Sequence, residues 1–304
     1  MRTTLNKRLK TIVASVVLFV MTVMSGFACS SPETSGESAG VKKAKVIILA
    51  GQSNMEGWTF SRYAEANLGE EEYKSYDKGS ANVRIAFYKN SVSGNGNPFG
   101  TVRFGLGMES ARFGPEIGIA SELKKDSSTK YYIIKYAVGG TNLYNDWRAP
   151  STGNTGAMYK GLVDYVSSVL GYLVEQRVDF EITDFCFMQG EADCDTLSHA
   201  EAYYSNLSAL KKDIRETLGF FASEKGIRFI DGAVSDVGMW QYYATVNDAK
   251  KTLAEEDENS VFIDTIAEGL KTTEEPANSP DKAHYDSLSM IKLGKLFGSA
   301  ILSE

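Results

Sequence analysis

With 304 residues, 43% of them hydrophobic and 23% charged, the chain has an ordinary globular composition and is long enough to bury a substantial core. Its formal charge of −7 becomes −11 once residues 1–28, which hold Arg2, Lys7, Arg8 and Lys10 and no acid, are set aside. So acidic a balance excludes a nucleic-acid-binding protein.

Taken in chain order, the basic start is followed by an apolar run over 12–23, too short for a comfortable membrane span, and reads as a secretory signal peptide over 1–28. The run closes on Ser25-Gly26-Phe27-Ala28-Cys29, which resembles a bacterial lipoprotein cleavage site with Cys29 as the lipidated residue. Cleavage after Ala28 without lipid is the alternative, since Gly26 stands where a leucine is usual. The expectation is an exported protein, a cell-surface or periplasmic lipoprotein on a membrane surface or else a secreted one. Residues 29–43 form a Ser-, Glu-, Gly- and Lys-rich tether, and 44–304 a single domain. Gly36-Glu37-Ser38-Ala39-Gly40 matches the G-x-S-x-G elbow by letter only, because no strand and helix flank it.

Val46-Ile47-Ile48-Leu49-Ala50 is a buried-strand run that opens into Gly51-Gln52-Ser53-Asn54-Met55, placing Ser53 on a loop at a strand end as a candidate nucleophile. A polar, Gly-rich stretch follows, then a strand over 83–88 and a long loop over 90–112 suited to shaping a cleft. A helix is predicted over 115–125, and a strand over 131–138 that ends in Gly139-Gly140-Thr141. Next come a helix over 158–176 and a strand over 180–188 that ends in Gln189-Gly190-Glu191-Ala192-Asp193. The rest alternates: helix 199–225, strand 227–234, helix 244–255, strand 261–266 and helix 285–302. This order predicts one doubly wound α/β domain.

A serine needs a base, and the chain has two histidines, His199 and His284. His284 has Asp281 three residues upstream, a spacing that can orient an imidazole, whereas His199 opens a solvated helix; His284 is the expected base. Cys186 lies in an apolar run and reads as a buried thiol, with a bridge to Cys194 as the alternative. Neither cysteine has metal-ligand spacing to other donors, so a metal site is not expected.

Gly51-Gln52-Ser53-Asn54-Met55, Gly139-Gly140-Thr141, Gln189-Gly190-Glu191-x-Asp193 and Asp281-x-x-His284, in that order, resemble the sialate O-acetylesterase and acetyl xylan esterase branch of the SGNH hydrolase superfamily, carbohydrate esterase family 6. The resemblance implies a three-layer α/β/α sandwich with a mostly parallel, flavodoxin-like sheet. It also implies hydrolysis of acetyl esters on glycans, such as acetylated xylan or sialic acid, with no metal or organic cofactor. Ser53 would be the nucleophile, His284 the base and Asp281 its orienting acid, with Glu191 as the alternative acid or a loop brace. Oxyanion donors would be the N–H of Ser53, an N–H of the Gly139-Gly140 turn, assigned to Gly140, and a side-chain amide. The superfamily asparagine would fall at Ala192, which has no donor, so the amide is assigned to Gln189. Trp147 and Arg148 are candidates for contact with a sugar. Two rival readings are a non-catalytic carbohydrate-binding lipoprotein on the same fold and an SGNH lipase or thioesterase.

Overall fold

The computed structural model describes residues 42–89 and 96–303. The expected signal peptide, Cys29, and all but the last two residues of the tether lie outside them, as do residues 90–95 of the long loop.

Seven strands form one sheet: β1 (Ala44–Gly51), β3 (Val83–Phe87), β4 (Gly100–Thr101), β6 (Tyr131–Ala137), β7 (Phe180–Met188), β8 (Arg228–Gly232) and β9 (Ser260–Ile263). Their spatial order is β4-β3-β6-β1-β7-β8-β9, parallel throughout except for the edge strand β4. Two further short strands, β2 (Thr59–Phe60) and β5 (Arg112–Phe113), pair antiparallel beside it.

The central position of β1 explains its composition. A strand covered on both faces needs apolar side chains at every position, and Val46, Ile47, Ile48, Leu49 and Ala50 are all fully buried. Val46, Ile48 and Ala50 join the core beneath α5 (Ala157–Glu175), α6 (Leu197–Leu218) and α7 (Tyr243–Glu255), while Ile47 and Leu49 face α4 (Glu116–Leu123) and α8 (Ser287–Leu302). The result is the α/β/α sandwich expected from the alternating pattern.

Three details depart from the sequence expectations. The polar stretch after the serine loop contains α1 (Ser53–Glu56), α2 (Ser61–Leu68) and α3 (Glu70–Asp77). The latter two bury only Ala64 between them, so no apolar stripe announces them. The described part of the 90–112 loop is anchored in the core, because Phe99, Val102, Phe104 and Leu106 are buried and Lys135 Nζ donates to the Leu106 carbonyl at 3.0 Å. Finally, α6 stops at Leu218 and passes into a single tight turn, Gly219–Phe221, instead of continuing to 225.

Candidate active site

The three strand ends predicted to converge do so, because β6, β1 and β7 are adjacent and parallel. At the end of β1, Gly51 has φ +145°, and a Cβ there would stand 2.0 Å from the Met188 carbonyl oxygen of β7. The chain therefore turns out of the sheet where only glycine fits, and α1 begins at Ser53. Ser53 is 7% exposed, and its N–H has no acceptor among the described residues.

Asn54, the neighbour of Ser53, meets the loop before α8. Asn54 Nδ2 donates to the Ala283 carbonyl (3.2 Å), and its Oδ1 accepts the Tyr285 N–H (3.2 Å), so one side chain brackets His284. Thr59 Oγ1 adds a bond to the Tyr285 carbonyl at 2.7 Å. The Tyr285 hydroxyl roots the loop in the core, donating to Thr265 Oγ1 (3.0 Å). Held in this way, His284 Nδ1 lies 2.7 Å from Asp281 Oδ2. The hydrogen bond from His284 holds the Asp281 carboxyl below the usual carboxylate range, against the opposing effect of partial burial. With Nδ1 engaged, Nε2 is the ring nitrogen left for proton transfer. The ring also stacks on Trp58, with centroids 4.9 Å apart and planes 14° from parallel.

Glu191 does not orient the imidazole directly. Its Oε1 accepts from Asn54 Nδ2 at 2.7 Å, so it acts on the histidine loop one side chain removed. The adjacent Asp193 ties two loops together: it accepts the N–H groups of Leu143 (2.8 Å) and Tyr144 (3.1 Å) and the Gln189 amide (2.6 Å). Burial raises its pKa, and these three donors oppose the shift.

The same network corrects the assignment of Gln189. Its Nε2 faces Asp193 Oδ2, the Thr141 carbonyl (3.1 Å) and Gln52 Oε1 (3.2 Å), and the residue is fully buried. Two amide hydrogens facing three acceptors leave none for a substrate. Gln52, which the sequence reading passed over, has the opposite arrangement. Its Oε1 accepts from Gly190 N (3.3 Å), Ala192 N (3.2 Å) and Gln189 Nε2. Two backbone donors fix which end of that amide is oxygen, and its Nε2 has no acceptor among the described residues. The available signal was position alone: a polar residue at a buried strand end, directly before the serine.

At the glycine turn, Gly139 N donates to Glu56 Oε2 at 2.8 Å, whereas the exposed Gly140, with φ +73°, has an N–H without an acceptor among the described residues. Trp147 is not placed for a sugar, and Arg148 is half-buried on its own loop. Trp147 is fully buried, with its indole N–H on Thr141 Oγ1 (2.8 Å), and Arg148 binds Thr152 through both its hydroxyl and carbonyl oxygens. The aromatic face of Trp147 serves the loop's own packing. His199 stacks on Tyr144 (4.2 Å) at the start of α6. Cys186 and Cys194 are free, buried thiols, and burial raises both pKa values. Among the described residues no group of three or more His, Cys, Asp or Glu side chains is arranged to hold a metal ion.

The chain belongs to the family described as carbohydrate esterase, sialic acid-specific acetylesterase, whose sequence model matches residues 43–303. No curated protein sequence matches it. Among solved structures it resembles an Arabidopsis thaliana protein (20% identity, TM-score 0.64, 86% of this chain and 99% of that one). NanS is similar (16% identity, TM-score 0.59, 86% and 97%). So is XAC1771, a carbohydrate acetylesterase from Xanthomonas citri (15% identity, TM-score 0.57), matched over 84% of this chain and 55% of its own length. At these identities the structural likenesses establish the fold.

Proposed function

We propose that this carbohydrate esterase removes O-acetyl groups from glycans through an acyl-enzyme on Ser53. The observation that carries the reading is the bracketing of His284 by Asn54, the residue next to Ser53, with Asp281 on the far ring nitrogen at 2.7 Å. Ser53 Oγ attacks the acetyl carbonyl carbon as His284 Nε2 takes its proton, and the carbonyl π pair moves onto oxygen. Collapse expels the sugar oxygen, which receives the proton from the imidazolium. Water repeats the sequence on the acetyl-serine and releases acetate. Asp281 keeps the proton-bearing nitrogen of the ring at Nδ1 and balances the imidazolium charge. The oxyanion is met by the N–H groups of Ser53 and Gly140 and by Gln52 Nε2, groups with uncommitted hydrogens at the ends of β1 and β6.

The substrate class is an acetylated glycan such as acetylated xylan or O-acetylated sialic acid, the latter in line with the family's description. An uncharged acetylated polysaccharide suits the chain's acidic balance, which repels a strongly anionic one at low salt. Export with a lipid anchor at Cys29 completes the reading, supported by the basic-then-apolar start and the Ala28-Cys29 junction.

Acetate release from acetylated xylan, O-acetylated sialic acid and an aryl acetate, by wild type and Ser53→Ala, tests the reaction. Turnover by wild type alone is expected; binding of these glycans without turnover would leave a binding protein instead. Retention of the wild type in the membrane fraction, with Cys29→Ser in the soluble one, tests the anchor.

A further inference from the structure

Glu56 ends α1, three residues after Ser53, and is 1% exposed. A carboxylate so buried is costly unless it is paired and hydrogen-bonded. Its Oε1 pairs with the ammonium of Lys89. Its Oε2 accepts two N–H groups at once, Trp58 Nε1 at 2.9 Å and Gly139 N at 2.8 Å. Those two donors belong to different parts of the site. Trp58 is the ring on which His284 stacks, and Gly139 precedes Gly140, whose N–H has no acceptor among the described residues. A Cβ on Gly139 would stand 3.0 Å from both Glu56 Oε2 and Trp58 Nε1, so the three groups meet without slack.

We propose that Glu56 is a positioning residue for the hydrolysis, one carboxylate oxygen holding the oxyanion turn and the histidine's stacking partner in a single register. The proposal rests on the reading of Ser53, His284 and Gly140 given above. Glu56 touches no reacting atom; it acts through Trp58 on one side and Gly139 on the other. Because both bonds share an acceptor, a displacement of the carboxylate disturbs the base and the oxyanion donor together, which neither Asp281 nor Asn54 would do. Lys89 supplies a countercharge beside the buried carboxylate.

Glu56→Gln keeps the shape but turns an amide NH₂ either toward Lys89 or toward the two N–H donors. The expected result is a loss of about tenfold in kcat on an aryl acetate with KM within about twofold, the pattern of misplaced machinery rather than lost binding. Lys89→Met in the same chain removes the opposing ammonium and lets the amide oxygen face Trp58 and Gly139, so the double variant should recover most of the kcat of Lys89→Met alone. A second readout needs no turnover. An imidazolium stacked on an indole quenches its emission, so Trp58 fluorescence should fall on acidification. The charged groups around that ring are Asp281, Glu56, Arg112 over Trp58 and, behind Asn54, Glu191. Trp58→Phe identifies the step, and Glu56→Ala should abolish it while circular dichroism stays native. Wild-type kcat in Glu56→Gln and Glu56→Ala, with Ser53→Ala inactive, overturns the proposal and leaves the esterase reading intact. No acetate released by wild type from any of the three substrates overturns that reading and the proposal with it.

Discussion

Asn54 and Glu191, 137 positions apart, share a buried 2.7 Å hydrogen bond, and the other bonds of the same amide close on either side of His284. The loop that carries the expected base is thus fastened to the residue after the expected nucleophile. Replacing Asn54 by Ala strands the Tyr285 N–H and the Glu191 carboxylate together, each at a cost of about 1–3 kcal/mol. Asn54→Ala should lower kcat by about 10- to 100-fold and reduce the urea midpoint, as read by steady-state kinetics and denaturation. Unchanged turnover would remove Asn54 from the positioning of His284.

Gln52→Glu is the sharpest test of the third oxyanion donor. The carboxylate keeps the acceptor for Gly190 and Ala192 but has no hydrogen to give a developing oxyanion. Removal of one such donor costs about 10²–10³ in kcat. KM on an aryl acetate should stay near wild type, with the melting temperature preserved. An equal effect on KM alone would assign Gln52 to substrate binding instead.

Asp281 predicts a pH dependence whose sign follows from its lowered pKa. A carboxyl depressed in the folded state contributes stability above its unfolded pKa, about 3.9, and loses that contribution as pH falls through the folded value. The melting temperature of wild type should therefore exceed that of Asp281→Asn at pH 6, with the gap closing below about pH 4. The partly exposed position of Asp281 keeps the gap small. In turnover, Asp281→Asn should be the more damaging change and Glu191→Gln the lesser, since only Asp281 touches the ring; the reverse ranking would make Glu191 the functional acid.

Lys135 on β6 and Glu116 at the start of α4 form a fully buried ion pair at 2.7 Å, and Glu116 also accepts the Gly114 N–H (2.9 Å). Lys135→Met leaves that carboxylate uncompensated, at a cost of about 3–5 kcal/mol. Chemical denaturation should show this loss, and Lys135→Met/Glu116→Gln should recover much of it. The Lys135 pKa is lowered by its burial, which Glu116 opposes.

Trp147→Ala should behave as a core cavity, losing about 3–5 kcal/mol of stability. KM measured at a temperature where the variant is folded should not change. A raised KM with an unaltered melting temperature would return Trp147 to the sugar-binding role the sequence suggested.

Much of the sheet could be read in advance because β1, β6 and β7 are buried on both faces over most of their length and so are predominantly apolar. Helices α2 and α3 could not, since they lie on the surface and owe their register to neighbours rather than to a stripe of their own. Within the site, the Asp281–His284 contact was legible because both residues sit on one short loop. The exchange of Gln189 for Gln52 was not. Which of two buried amides keeps a spare hydrogen depends on acceptors brought in from Thr141 and Asp193, dozens of residues from Gln52. Trp147 failed for a related reason: residue type marks an aromatic face but not the side of the loop on which it lies.

The two glycines at the ends of β1 and β6 should differ in what they tolerate. Position 51 is closed by volume, since any side chain meets the Met188 carbonyl, and a saturation library selected for esterase activity should return glycine there alone. Position 140 is open space, with nothing within 4 Å of a Cβ, and is restricted only by its φ of +73°. Asparagine and aspartate enter that conformation at least cost and should survive beside glycine. The proposed nucleophile's exit from the sheet thus has one sequence solution, whereas the proposed oxyanion turn has several, and divergence among active relatives should collect at the second.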